Sequence, residues 1–235
     1  MALPNIVTPE YETILPSTDQ KIKFRPFLVK EEKLMLMAAE GKDQSEIYKA
    51  VLKVLSDCIL NKENLDVTEL PLFDIEWLFL QLRSKSVGEV VELRMKHVGD
   101  EKCNAYTDVE VKLDEVKVEK FEGHNPVIML DDVVGITLKY PNLADVSEIS
   151  TVTAENIFKV LESSIKNVFD KDKVYTEFTK QEINEFIGNM DNTQFLKVTK
   201  FFETIPKLRH KLEYKCQKCG KQVKHTLEGL MDFFL

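Results

Sequence analysis

The sequence predicts an α+β protein with a mainly helical core, two zinc-knuckle β-hairpins and one additional hairpin. Three observations support this. Apolar residues recur at helical spacing over residues 29–86 and again over 146–206. The period changes to two in residues 87–118 and 207–227, and both of these stretches place a metal-competent side chain at the same point in their register.

Residues 1–28 contain Pro4, Pro9 and Pro16 and an alternating Ile22, Phe24 pair that stops at Arg25-Pro26, so they are expected to form an extended arm. Residues 29–40 begin with Glu31-Glu32 and continue through Leu34, Met35, Leu36, Met37, Ala38 and Ala39, which reads as a mostly buried helix ended by Gly41. Asp43 followed by Glu46 is a capping-box spacing that opens a second helix, on which Ile47, Val51, Val54, Leu55 and Cys58 share a stripe. Cys58 therefore reads as a core residue. Asp74 is expected to cap a central helix running to Arg83, with Trp77 supplying core bulk.

Beyond Gly88, Val91, Leu93, Met95 and His97 fall on one strand face, and Thr107, Val109, Val111 and Leu113 on another. Residues 119–145 should be extended, with a hairpin that turns at Asp131-Asp132. Residues 146–206 read as helical. A first helix spans residues 146–169, interrupted near Ser150-Thr151, and two shorter ones cover 181–190 and 192–202. In residues 207–235, Leu208, Leu212, Tyr214 and Cys216 alternate before a second knuckle, Val223, His225 and Leu227 after it, and an apolar tail follows. The whole chain, 1–235, is expected to fold as a single cooperative domain.

Composition narrows the class. With 235 residues, 43% hydrophobic and 31% charged, and only 8 Gly and 8 Pro, the chain has the makings of a packed globular protein. A net charge of −8 disfavours a protein whose main task is holding phosphate backbones. The N-terminus has no cationic start followed by an apolar stretch, and no apolar run approaches about 18 residues, so neither secretion nor membrane spanning is predicted. In a reducing compartment, a close Cys pair binds metal or does redox work more often than it forms a disulfide.

The run Lys215-Cys216-Gln217-Lys218-Cys219-Gly220 offers such a pair. Setting Leu93-Arg94-Met95-Lys96-His97 beside Leu212-Glu213-Tyr214-Lys215-Cys216 reveals an internal repeat: Leu, an apolar residue two positions on, Lys, then a ligand candidate. The second candidate follows at Cys103 in the first copy, after the loop containing Val98-Gly99-Asp100-Glu101, and at Cys219 in the second. His97, Cys103, Cys216 and Cys219 would together make a closed tetrahedral zinc site, which staples and does not catalyse. Gly220 suits a positive φ after the second Cys. A redox pair is the competing reading of Cys216 and Cys219, but the pair lacks the helix start that lowers a redox thiol's pKa. His210 and His225 are alternatives to His97 without the repeat's support.

Two stretches carry a likeness to a known family: Lys23-Phe24-Arg25-Pro26-Phe27-Leu28-Val29-Lys30-Glu31-Glu32-Lys33 and Phe73-Asp74-Ile75-Glu76-Trp77-Leu78-Phe79-Leu80-Gln81-Leu82-Arg83-Ser84-Lys85-Ser86-Val87-Gly88-Glu89. Both resemble the T-even-type (T4-like) phage baseplate protein family, as does the order of features along most of the chain. The resemblance implies a non-enzymatic late protein that assists assembly of, or forms part of, the baseplate hub of a contractile tail. It would work in the host cytoplasm or remain in the virion, with other hub and tail proteins as partners. Members of that family carry a Cys pair at the first knuckle, where this chain has His97.

The apolar tail Phe233, Phe234 and Leu235, with the arm from Leu3 to Phe27, is the candidate partner-contact surface, the alternative being that both close over the protein's own core. On the first reading, Phe233→Ala with Phe234→Ala spares the fold and weakens partner capture. A rival function class is a zinc-ribbon nucleic-acid binder, resting on Lys207, Arg209, Lys211, Lys215, Lys218, Lys221 and Lys224. No Ser/His/Asp order, phosphate-binding Gly loop or zinc-protease helix motif argues for an enzyme.

Overall fold

The computed structural model describes residues 6–41, 43–97, 103–143, 145 and 154–234. The chain forms two compact units, one of Met1–Val67, Phe73–Glu119 and Lys207–Leu235, the other of Thr68–Leu72 and Lys120–Pro206. The second unit is thus an insertion in the first. Strand β5 (Lys117–Glu119) pairs antiparallel with the start of β10 (Lys207–Lys215), and Glu119 lies opposite Lys207, so the chain departs and returns at neighbouring positions.

In the first unit the arm is a hairpin. Strands β1 (Tyr11–Ile14) and β2 (Lys21–Phe24) pair, and Leu15, Ile22 and Phe24 are buried beneath them. Helix α1 (Val29–Glu40) departs from the sequence expectation. Its only buried residue is Glu31, while Val29, Leu36 and Met37 are 79%, 61% and 61% exposed. The anchor is polar: the Glu31 carboxylate accepts from the Leu28 N–H at 2.8 Å and from Arg25 Nη2 at 2.9 Å. Six consecutive apolar residues point all round the helix, and a neighbour can cover one side only.

Helix α2 (Gln44–Cys58) is capped by Asp43, which accepts from the Ser45 N–H, and buries Val51, Val54, Leu55 and Cys58. Helix α3 (Leu72–Ser86) starts two residues before Asp74. Asp74 is therefore not the cap; it is buried in the first turn, where Ser17 donates to it from both its backbone N–H and its hydroxyl. Trp77 packs partly buried on the core and donates from Nε1 to the Ile14 carbonyl at 3.0 Å.

Strands β3 (Val90–Lys96) and β4 (Tyr106–Lys112) pair with Val91 opposite Val111, Leu93 opposite Val109 and Met95 opposite Thr107. The faces expected from the alternation are the faces that meet. Strand β10 pairs likewise with β11 (Gln222–Glu228). These strands supply most of the buried cluster Val91, Val111, Leu208, Leu212, Tyr214, Val223 and Leu227, to which α3 contributes Leu80 and the last helix Phe233. Around the two hairpins, therefore, the core is built chiefly of strands, while α2 and α3 bury Val51, Val54, Leu55, Ile75 and Leu78 elsewhere in the unit.

The second unit has a four-stranded antiparallel sheet, β6 (Val127–Met129), β7 (Gly135–Leu138), β8 (Ile165–Phe169) and β9 (Val174–Tyr175), with helices α4 (Ala154–Ser164), α5 (Lys180–Gly188) and α6 (Asn192–Glu203). The Asp131 turn is as expected, its carboxylate accepting from the Val133 and Val134 N–H groups at 2.7 Å each. Ile165, Val168 and Phe169 are not helical: the helix stops at Ser164 and they pair with β7. Gly135 permits that approach, since a Cβ there would overlap the Phe169 ring. The interruption expected near Ser150-Thr151 lies outside the described residues.

Candidate metal centre

The two hairpins end in matching geometry. The His97 N–H donates to the Ala105 carbonyl at 2.9 Å, and the Cys216 N–H donates to the Lys221 carbonyl at 2.9 Å. Each ligand candidate is thus the residue just past its strand whose amide closes the loop. In the second loop Gly220 has φ of +71° and donates to the Cys216 carbonyl at 2.9 Å, which folds Cys219 back beside Cys216. Val98-Gly99-Asp100-Glu101 in the first loop lie outside the described residues.

His97, Cys103, Cys216 and Cys219 converge although more than a hundred positions separate the first two from the last two. Their ligand atoms all lie within 4.8 Å of one another. Cys103 Sγ is 3.8 Å from Cys216 Sγ, and Cys219 Sγ is 3.4 Å from His97 Nδ1. A tetrahedral ion with bonds of about 2.3 Å to sulfur and about 2.0 Å to nitrogen has S···S edges of about 3.8 Å and S···N edges of about 3.5 Å. The Cys103–Cys216 and Cys219–His97 separations match edges of such a cage. Cys103, Cys216 and His97 are buried and Cys219 is exposed.

Electrostatics favour a thiolate at Cys216. The Cys219 N–H, chiefly, points at its sulfur and against the cost of burial brings the thiol down to about 6, with the Lys218 N–H adding to the effect. Burial and the neighbouring thiols push Cys103 the other way. A cation is what would let both ionise together.

Two contacts that the sequence did not flag tie the hairpins at this point. Tyr214 donates from its hydroxyl to the Lys96 carbonyl at 3.2 Å, and the Gln217 N–H donates to Thr107 Oγ1 at 3.3 Å. Both lie within two residues of a ligand candidate, the one signal that could have found them. The other histidines stand elsewhere. His210 and His225 face Leu227 and Leu212 in the β10–β11 ladder, and His124 bonds Thr204 and Tyr140 in the second unit. Cys58 is a core thiol, pushed up to about 11 by burial.

The remaining site expectations fare differently. Phe233 lies on α7 (Met231–Phe234), fully buried in the cluster beneath the hairpins, so its ring offers no face to a partner; the Phe234 side chain and Leu235 lie outside the described residues. In the arm, Ile22 and Phe24 are likewise buried, Ile6 and Val7 are exposed, and Leu3 is outside the described residues. Of the basic cluster, Lys207, Arg209, Lys211 and Lys224 form ion pairs with Glu119, Glu213 or Glu228, which blunts the field a phosphate backbone would meet.

The profile of the T4 bacteriophage base plate protein family matches residues 8–235, and so runs through both hairpins and all four ligand candidates. The chain belongs to that family. No curated protein and no solved structure matches it. As a base plate protein it is a structural component of a phage tail, built to contact other tail proteins. No helix among the described residues is long and apolar enough to cross a membrane.

Proposed function

We propose that this base plate protein acts at the hub of the contractile tail, assisting its assembly or forming a minor part of it, through protein contacts and without catalysis. A structural zinc ion held by His97, Cys103, Cys216 and Cys219 would clasp the β3–β4 hairpin to the β10–β11 hairpin. The observation that carries this reading is the convergence of four N and S donors from two distant hairpins within 4.8 Å. Thiolate and imidazole donors in a compact tetrahedron suit zinc, and four protein ligands leave no position for substrate.

Elemental analysis of the native protein, with simultaneous thiol titration, tests the metal. One zinc per chain with three thiols shielded until a chelator is added supports the clasp; iron, or no metal and freely reactive thiols, overturns it. Co-expression with the neighbouring tail proteins and mass measurement of the purified complex tests the role. A stoichiometric complex with hub proteins is expected, and co-purification only with peripheral base plate proteins would refute a hub function.

A further inference from the structure

Helix α1 presents a stripe that fits a second copy of itself. Lys33, Leu36, Met37 and Glu40 follow at i, i+3, i+4 and i+7, so they line one face, and all four are exposed. The helix is twelve residues long, too short to owe its stability to propensity; Met35, Ala38 and Ala39 are half-buried against its own chain, whereas Leu36 and Met37 are each 61% exposed. Such a face ordinarily acquires its packing from a partner.

The stripe has a two-fold character. Leu36 and Met37 occupy its centre, a cation lies three residues before Leu36, and an anion lies three residues after Met37. Place a second α1 antiparallel about an axis between residues 36 and 37. Leu36 then meets Met37 of the second copy, and Lys33 meets Glu40 of the second copy, with each contact made twice. In a parallel pairing the cations would face each other. A surface that is complementary to itself only when antiparallel is what an isologous dimer contact requires. We infer that α1 is a self-association surface, through which two copies of this chain pair by the Lys33, Leu36, Met37, Glu40 stripe.

The contact is small, so the dimer forms and dissociates with concentration and weakens in high salt as the paired charges are screened. Sedimentation equilibrium of the full chain over a wide concentration range measures it directly. The expected result is a reversible doubling of mass that Leu36→Lys abolishes and Lys33→Glu strongly weakens. The double swap Lys33→Glu with Glu40→Lys recreates the same complementarity with the signs exchanged, and so restores dimerisation to within a fewfold of the original. All substituted side chains are exposed, and circular dichroism of each variant verifies that the helix persists. A chain that stays monomeric at every concentration, a dimer indifferent to Leu36→Lys, or a charge swap that fails to rescue would overturn the inference, as would finding that the stripe binds only a different tail protein.

Discussion

His97 and Cys216 occupy the same position in two separate hairpins, each the first residue past its strand and each closing its loop through a backbone N–H···O bond of 2.9 Å. That equivalence explains how an imidazole can stand where the repeat would otherwise put a thiolate. The backbone delivers the ligand, and the side chain has only to reach the centre.

On this basis His97→Cys should retain metal, converting an N/S₃ set to S₄, whereas His97→Ala and Cys216→Ser should lose it. Because metal binding in such sites is coupled to folding, losing the ion is expected to cost about 3 kcal/mol or more, which lowers the unfolding midpoint by about 6–12 °C. Elemental analysis beside a thermal melt gives both readouts. Equal metal content in wild type and Cys216→Ser would remove Cys216 from the site.

The second prediction concerns cooperativity. The long inserted segment, Lys120–Pro206, is flanked by Glu119 and Lys207, which are ladder partners, and the proposed clasp lies just past the other end of the same β10 strand. Calorimetry of the metal-loaded chain should give one transition, and chelation should move all of it to lower temperature. Two transitions, of which chelation shifts only one, would mean that the units unfold independently.

Glu76 sets a pH dependence. Its carboxylate is buried and accepts from the Leu230 N–H at 3.1 Å, and burial raises its pKa from 4.5 to about 7. A carboxyl group with a raised folded pKa favours the folded state fully below its unfolded pKa. That contribution is lost as pH rises through about 7. Glu76→Gln keeps an acceptor and removes the charge, so it should stabilise the protein at pH 8 by about 1–3 kcal/mol and have little effect near pH 4. Denaturant titrations at the two pH values measure the difference, and an equal effect at both would exclude ionisation as the cause. Gly229, at φ +74°, lies against the same carboxylate, where an added Cβ would be 3.0 Å from Glu76 Oε1. Gly229→Ala should cost about 1–2 kcal/mol from the backbone alone.

Phe233 follows the alternative in which the tail closes over the protein's own core. It is fully buried with Leu80, Leu208 and Leu227 in one cluster, so Phe233→Ala should destabilise the fold by about 3–5 kcal/mol. Any loss of partner binding would then follow from unfolding. A stable, well-folded Phe233→Ala protein that fails only in partner capture would restore the contact role.

What the sequence determined by itself was whatever short-range periodicity and spacing encode. The faces of β3, β4, β10 and β11 follow from alternation, the turn at Asp131 from its side chain, the positive φ of Gly220 from its place after Cys219, and the common register of His97 and Cys216 from the repeat. Only the tertiary structure decided matters that depend on distant neighbours. Ile165, Val168 and Phe169 suit a helix stripe as well as a strand, and it is β7 alongside that makes them a strand. The apolar run of α1 looks like core until the fold leaves Leu36 and Met37 each 61% exposed, and composition leaves the apolar tail open between surface and core until Phe233 is seen beneath the hairpins. The convergence of the four donors belongs to both: local geometry aims each pair, and the packing of one hairpin on the other brings the pairs within 4.8 Å.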